Sequence, residues 1–300
     1  MRGKGMAGES IIIARSASER GFQPRSLALR VLIAARTRGR SSAAAALILA
    51  STLLTGCQAT FGPNAVNGIT FYCPGAGNLD FGDAGVREGL REAGYRGEVA
   101  SFLWTVAFNP AIDQALRINA RLAGTTLSST IRQYVDRYPG KPVNLVGLSA
   151  GTGIALWALE DLPPGYQVDN VVLLSGSIYY RRDISKALPH IKGKIYNYYS
   201  SNDIILAGPM KIFGTIDGVF GEDGAGAVGL SPPSGKDRVV NISWRPEFAS
   251  YGYVGGHVDS TRAPFIRQFV SKHILETPSI ARETTPARSP VKAFQAAASR

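Results

Sequence analysis

Residues 143–153 read VNLVGLSAGTG, and no other stretch limits the fold of this chain as tightly. The apolar run Val143-Asn144-Leu145-Val146 reads as a strand and stops at Gly147-Leu148-Ser149-Ala150-Gly151. A helical pattern follows, Ile154-Ala155-Leu156-Trp157-Ala158-Leu159. A strand that passes into a helix through G-x-S-x-G must turn a very tight corner. The serine takes a strained backbone conformation, and the flanking glycines let strand and helix approach. The hydroxyl is left standing clear of the sheet beside helix N–H groups. With 34 glycines in 300 residues the bare pattern arises easily by chance, so the strand and helix around it carry the inference.

A serine hydroxyl becomes a nucleophile only beside a base, and the base needs a group to orient it. The chain holds three histidines. His190, in Pro189-His190-Ile191-Lys192, precedes a strand. His273 stands beside Lys272 late in the last helix and reads as a surface or C-terminal-turn residue. His257 lies in Tyr253-Val254-Gly255-Gly256-His257, a glycine-rich loop between the last strand and the last helix, and is the candidate base. The strand Lys194-Ile195-Tyr196-Asn197-Tyr198-Tyr199 ends in Ser200-Ser201-Asn202-Asp203. Asp203 is thereby placed at the carboxyl edge of the sheet, where the side chains of an open α/β fold converge. Asp183 is the rival acid, but Asp183-Ile184-Ser185-Lys186 also reads as a helix N-cap. Asp259 is read as the start of the last helix.

Another strand, Ile69-Thr70-Phe71-Tyr72-Cys73, runs into Pro74-Gly75-Ala76-Gly77-Asn78. These glycines let backbone amides turn toward a site. The loop lacks both the Lys-Ser/Thr of a P-loop and a G-x-G-x-x-G, which argues against a phosphate cradle. Together these pieces resemble the α/β-hydrolase superfamily over residues 68–275, and most of all its bacterial serine hydrolases. The resemblance implies an α/β fold with a mostly parallel sheet of about six strands and helices on both faces. It also implies a Ser149–Asp203–His257 triad, an oxyanion hole made by the amides of Ala76 and Ala150, and hydrolysis of esters, thioesters or amides without a cofactor. Two features depart from the pattern. Only about ten residues separate the expected mature start from the strand at Ile69, so the first two strands are reduced or absent. Pro-Gly-Ala stands where many hydrolases have His-Gly.

Residues 43–54, AAAALILASTLL, form an apolar run preceded by Arg36, Arg38 and Arg40. The run is too short to span a bilayer and fits the core of a signal peptide. It leads into Leu54-Thr55-Gly56-Cys57, which resembles the lipobox of bacterial lipoproteins, with Cys57 as the lipidated mature N-terminus. The alternatives are an ordinary secretory signal or a buried helix. The stretch before Arg36 reads as lacking fixed structure. The net charge of +11 is concentrated at the ends: residues 1–42 contribute +7 and residues 276–300 contribute +2, leaving +2 for the middle. The balance therefore gives no reason to expect a nucleic-acid partner. Cys73 reads as a small buried hydrophobe, although a disulfide with Cys57 is conceivable in an oxidising compartment.

The coarse order alternates strand and helix, which argues for a parallel sheet covered on both sides. Strands are expected at 69–73, 98–104, 142–148, 169–175, 194–200 and 238–244. Helices are expected at 83–94, 111–138 with a break near Gly124, 150–161, 183–188 and 259–275. The chain divides into 1–57 (basic extension and signal), 58–67 (linker), 68–275 (hydrolase domain) and 276–300 (a tail without fixed structure). Within the domain, 204–236 is either a lid offering Met210, Ile212, Phe213 and Phe220 to a substrate, or a helix and a loose surface loop. No metal-ligand spacing is present. The functional expectation is an extracytoplasmic, lipid-anchored serine hydrolase of carboxylic esters, with lipid-derived esters as one candidate class that membrane anchoring alone does not establish. The alternatives are a non-catalytic binding lipoprotein on the same fold and an acyltransferase using the same triad.

Overall fold

The computed structural model describes residues 11–13, 59–78, 82–105 and 117–276. The signal core, Cys57, the start of the helical region before residue 117 and the expected tail from 277 onward lie outside the described residues. Seven strands form one sheet: β1 (Ile11–Ile13), β2 (Ile69–Cys73), β3 (Glu98–Leu103), β4 (Val143–Leu148), β5 (Asn170–Leu174), β6 (Ile195–Tyr199) and β7 (Val239–Ser243). Their order is β1-β3-β2-β4-β5-β6-β7, and every adjacent pair is parallel. Because all strands run one way, their carboxyl ends share a single edge. The strand β1 falls in the N-terminal stretch for which the sequence predicts no fixed structure. Three consecutive isoleucines have the β-branched character that suits a strand.

The helices divide between the two faces. Helix α1 (Gly82–Glu92) packs with the C-terminal helical run on one side; α2 (Arg117–Arg137) and α3 (Gly151–Glu160) cover the other. The pleat explains the split. Ile69, Phe71 and Cys73 of β2 join the α2–α3 core with Val171 and Leu173 of β5. Tyr72, Val172 and Leu174 point the opposite way, toward Val86, Leu90, Phe265 and Val270. The middle strands β2, β4 and β5 are buried along their whole length, as a sheet covered on both faces requires.

Helix α2 continues through Gly124 without the expected break. A Cβ there would meet Trp157 Cβ at 2.6 Å, so this glycine serves the close approach of α2 and α3. The expected helix at 183–188 is instead a turn followed by a 3-10 segment, Leu188–His190. The last helix is broken into Ala263–Phe265, a π-turn at Ile266–Val270, and Ser271–Leu275, after a 3-10 turn at Asp259–Thr261. His273 is not a surface residue. It is buried with its ring stacked on Tyr196 at 3.7 Å, and its Nε2 lies 3.0 Å from the Tyr198 hydroxyl.

The 204–236 segment contains three short helices, α4 (Ile204–Ala207), α5 (Pro209–Phe213) and α6 (Ala225–Val228). It is stitched to the chain after β5 by Ile216 N–H to Ser177 O, Ala225 N–H to Ile178 O and Gly226 N–H to Gly176 O. Arg182 adds an ion pair to Asp217 at 3.1 Å, and Arg117 donates to the Phe213 carbonyl at 2.7 Å. The segment is therefore fastened along its length. Met210 turns inward, while Ile212, Phe213 and Phe220 are exposed.

Candidate active site

Ser149 follows β4 directly and has φ +51°, a left-handed conformation that only one other non-glycine described residue, Ser175, adopts. Such a backbone costs on the order of 1–3 kcal/mol and persists only where its surroundings enforce it. Here the Ser149 N–H donates to Leu174 O at 3.0 Å, and its carbonyl accepts from Thr152 N–H at 3.1 Å and Ser177 N–H at 3.2 Å. The two motif glycines are sterically required. A Cβ on Gly147 would lie 2.9 Å from backbone atoms of Gly151 and Thr152. One on Gly151 would overlap the Cys73 carbonyl oxygen. The start of α3 is thus pressed against the end of β2 and the loop that follows it.

That contact places the Ala76 loop beside the serine corner. Ala76 opens a 3-10 turn, Ala76–Asn78, and buried Trp104 anchors the loop by donating Nε1–H to Pro74 O at 2.9 Å. Ala150, at the N-cap of α3, is buried. The amides of Ala76 and Ala150 donate no hydrogen bond among the described residues. Ala150 is buried and Ala76 partly buried, so each amide is left for an acceptor that the described residues do not supply.

Asp203 lies at the carboxyl end of β6, fully buried. Its Oδ1 caps α4 by accepting from Ile205 and Leu206 N–H, each at 3.1 Å. Its Oδ2 lies 2.7 Å from His257 Nδ1. An ionised carboxylate only accepts, so Nδ1 carries the proton in this pair and Nε2 is left as the basic nitrogen. Asp183 is exposed and bonded to Ser185, whose N–H and hydroxyl hold its carboxyl below the usual carboxylate range. Asp259 begins a 3-10 turn and accepts from Gly256 N–H at 3.1 Å. His190 is buried, its Nδ1 2.9 Å from Tyr166 O.

Ser149, Asp203 and His257 thus stand at one sheet edge, the last two in direct contact. The Ser149 hydroxyl makes no hydrogen bond among the described residues, to His257 or to any other group. Cys73 is buried and free, and burial pushes its thiol pKa up, which disqualifies it as a nucleophile. Cys57 lies outside the described residues. No group of three or more His, Cys, Asp or Glu among the described residues is arranged to hold a metal ion. Sequence reasoning missed Ser175, whose strained backbone follows β5 as Ser149's follows β4. The Ser175-Gly176-Ser177 triplet at a strand end was the available signal.

A parallel sheet with helices on both faces, and a strained serine between a central strand and its helix, is the α/β-hydrolase fold. No protein-family model and no curated protein matches the chain. Among solved structures, it is similar to a lipase-esterase related protein from Clostridium acetobutylicum ATCC 824. That likeness has 11% identity and a TM-score of 0.40, and covers 71% of this chain and 97% of the other. A cutinase-like protein from Cryptococcus sp. matches at 12% identity and a TM-score of 0.35, over 69% of this chain and 94% of the other. A cutinase from Trichoderma reesei matches at 11% identity and a TM-score of 0.32, over 69% and 74%. At these levels the chain's own residues must carry the functional reading.

Proposed function

We propose that the chain is a serine hydrolase of carboxylic esters in which Ser149 is the nucleophile, His257 the base and Asp203 its orienting acid. The observation that carries this reading is the contact of half-buried His257 with buried Asp203 at 2.7 Å, set on the sheet edge that also bears strained Ser149. Ser149 Oγ attacks the ester carbonyl carbon, and His257 Nε2 takes the hydroxyl proton. The carbonyl oxygen becomes an oxyanion received by the Ala76 and Ala150 amides. Loss of one such donor in a well-studied hydrolase costs about 2.7–4 kcal/mol. The intermediate collapses, and the alcohol leaves with the proton from His257. Water then attacks the acyl-serine by the same route and frees the acid. Asp203 holds Nδ1–H throughout and stabilises the imidazolium. Its own orientation is fixed by the two α4 amides.

Exposed Ile204 and Ile205 adjoin Asp203, and exposed Val254 and Val258 flank His257. This rim favours esters with an apolar acyl or alcohol group. The binding alternative draws on one observation, the unbonded Ser149 hydroxyl. A direct test separates the two: the purified protein should hydrolyse p-nitrophenyl esters without added metal, and Ser149→Ala should abolish turnover. Persistence of activity in that variant, or no turnover of a broad ester panel, removes the hydrolase reading.

The location proposed is the cell envelope, with the mature chain beginning at lipidated Cys57. A chain cut there keeps β2 to β7. Two residues on, Ala59 N–H donates to Gln133 Oε1 at 2.7 Å, and Phe61 packs edge-on against Tyr134 at 5.4 Å. Those partners lie near the end of α2, which returns to the amino edge of the sheet. Ala59 thus stands at the end opposite the catalytic edge, and an anchor attached two residues before it would leave the site facing away from the membrane.

A further inference from the structure

The loop that carries His257 has few holds. Val254 is exposed, Gly255 and Gly256 lack side chains, and His257 itself is gripped by Asp203. Tyr253, by contrast, is fully buried and fixed on every side. Its ring stacks on Phe248 with centroids 6.0 Å apart and meets Phe265 edge-on at 4.8 Å. Its N–H donates to Phe248 O at 3.1 Å, and its carbonyl accepts from Trp244 Nε1–H at 2.8 Å.

The phenol end reaches the corner between β5 and β6. It lies beside the hydroxyls of Ser175 and Ser200 and within the field of the Asp203 carboxylate, and burial together with that charge keeps the phenol neutral. These approaches are not aligned as hydrogen bonds: the hydroxyls of Tyr253 and Ser175 are both buried without a partner. A buried, unpaired hydroxyl is a net cost to stability, so phenylalanine would satisfy packing better at this seat. The loop then turns down onto the same corner. Gly255 has φ +97°, and a Cβ there would lie 3.1 Å from Ser200 Oγ and 3.2 Å from Asn202 Cβ.

We infer that Tyr253 is a positioning residue for the proposed reaction: seated against the Ser175–Ser200 corner, it sets the short loop so that His257 meets Asp203 with Nε2 turned toward the nucleophile. This role rests on the serine hydrolase reading. The test is steady-state hydrolysis of p-nitrophenyl butyrate by wild type, Tyr253→Phe, Ser175→Ala and the double variant, with Tm measured for each. Tyr253→Phe keeps the ring and removes only the hydroxyl. The expected result is a several-fold fall in kcat with KM unchanged and Tm equal or higher. The double variant should be no worse than the poorer single one, because the two hydroxyls face the same corner and act on the one seat. A wild-type kcat in Tyr253→Phe, or a loss that tracks a lowered Tm, overturns the role. Ser149→Ala, assayed alongside, keeps the two ideas apart. If it is inactive while Tyr253→Phe is fully active, only the positioning role falls. Activity surviving in Ser149→Ala, or no turnover by wild type, removes both.

Discussion

Acidification should destabilise this protein through His273. The ring is 6% exposed, stacked on Tyr196 at 3.7 Å and 3.0 Å from the Tyr198 hydroxyl. Burial, reinforced by the neighbouring Lys272 charge, lowers its pKa from 6.5 to about 4. The folded state therefore holds the ring neutral, while the unfolded chain protonates it below the ordinary value. Stability is full above the unfolded pKa and is lost as pH falls from there toward the folded value, below which the loss levels off. A gap of roughly 2.5 units at ~1.36 kcal/mol per unit sets a ceiling of about 3 kcal/mol, of which about 2 kcal/mol is lost by about pH 5. Other groups also titrate in this range, so a comparison is needed. His273→Phe keeps a ring on Tyr196 and leaves the Tyr198 hydroxyl bonded to Phe269 O, but cannot be protonated. Urea unfolding followed by tryptophan fluorescence at about pH 7 and about pH 5 reads the difference. Wild type should lose about 2 kcal/mol more than the variant over that interval. Equal losses in the two proteins would refute the reasoning.

Further outcomes are expected at the candidate site and at the N-terminus. Gly151→Ala drives a methyl group into the Cys73 carbonyl and should cost about 1–3 kcal/mol or more in chemical denaturation, with activity falling alongside. Asp203→Asn should reduce kcat by on the order of 10³–10⁴, less than Ser149→Ala, whereas Asp183→Ala on its exposed turn should leave kcat unchanged. Wild type should incorporate labelled palmitate and partition with membranes, and Cys57→Ser should do neither. Soluble, unlabelled wild-type protein processed at another position would contradict the anchor.

The parts of the site that were legible in the sequence are those written in local signals. The strand–corner–helix at 143–153 requires a tight turn wherever it occurs, and φ +51° at Ser149 is its geometric consequence. Asp203 and His257 could be placed because each follows a recognisable strand of a parallel sheet, and parallel strands share a carboxyl edge. What stayed hidden depended on partners distant in sequence. Gly124 reads as a breaker until Trp157 is seen against it. His273 reads as polar and exposed, although it follows Phe265 and Phe269 at intervals of four and so shares their buried face. The fastening of 204–236 runs through backbone bonds to residues 176–178, which no composition reveals. Tyr253 stands only four residues from His257, but its importance lies in what surrounds its hydroxyl. Ile11–Ile13 is too short for periodicity to mark it as a strand.

The most direct test of the central claim is labelling by a fluorophosphonate probe followed by mass mapping of the modified peptide. An activated serine attacks the phosphorus and expels fluoride, whereas an ordinary surface hydroxyl does not react. The account predicts one modified residue, Ser149, with labelling lost in Ser149→Ala and strongly slowed in His257→Ala. No labelling of the folded wild type, or labelling that maps to another serine, would contradict it.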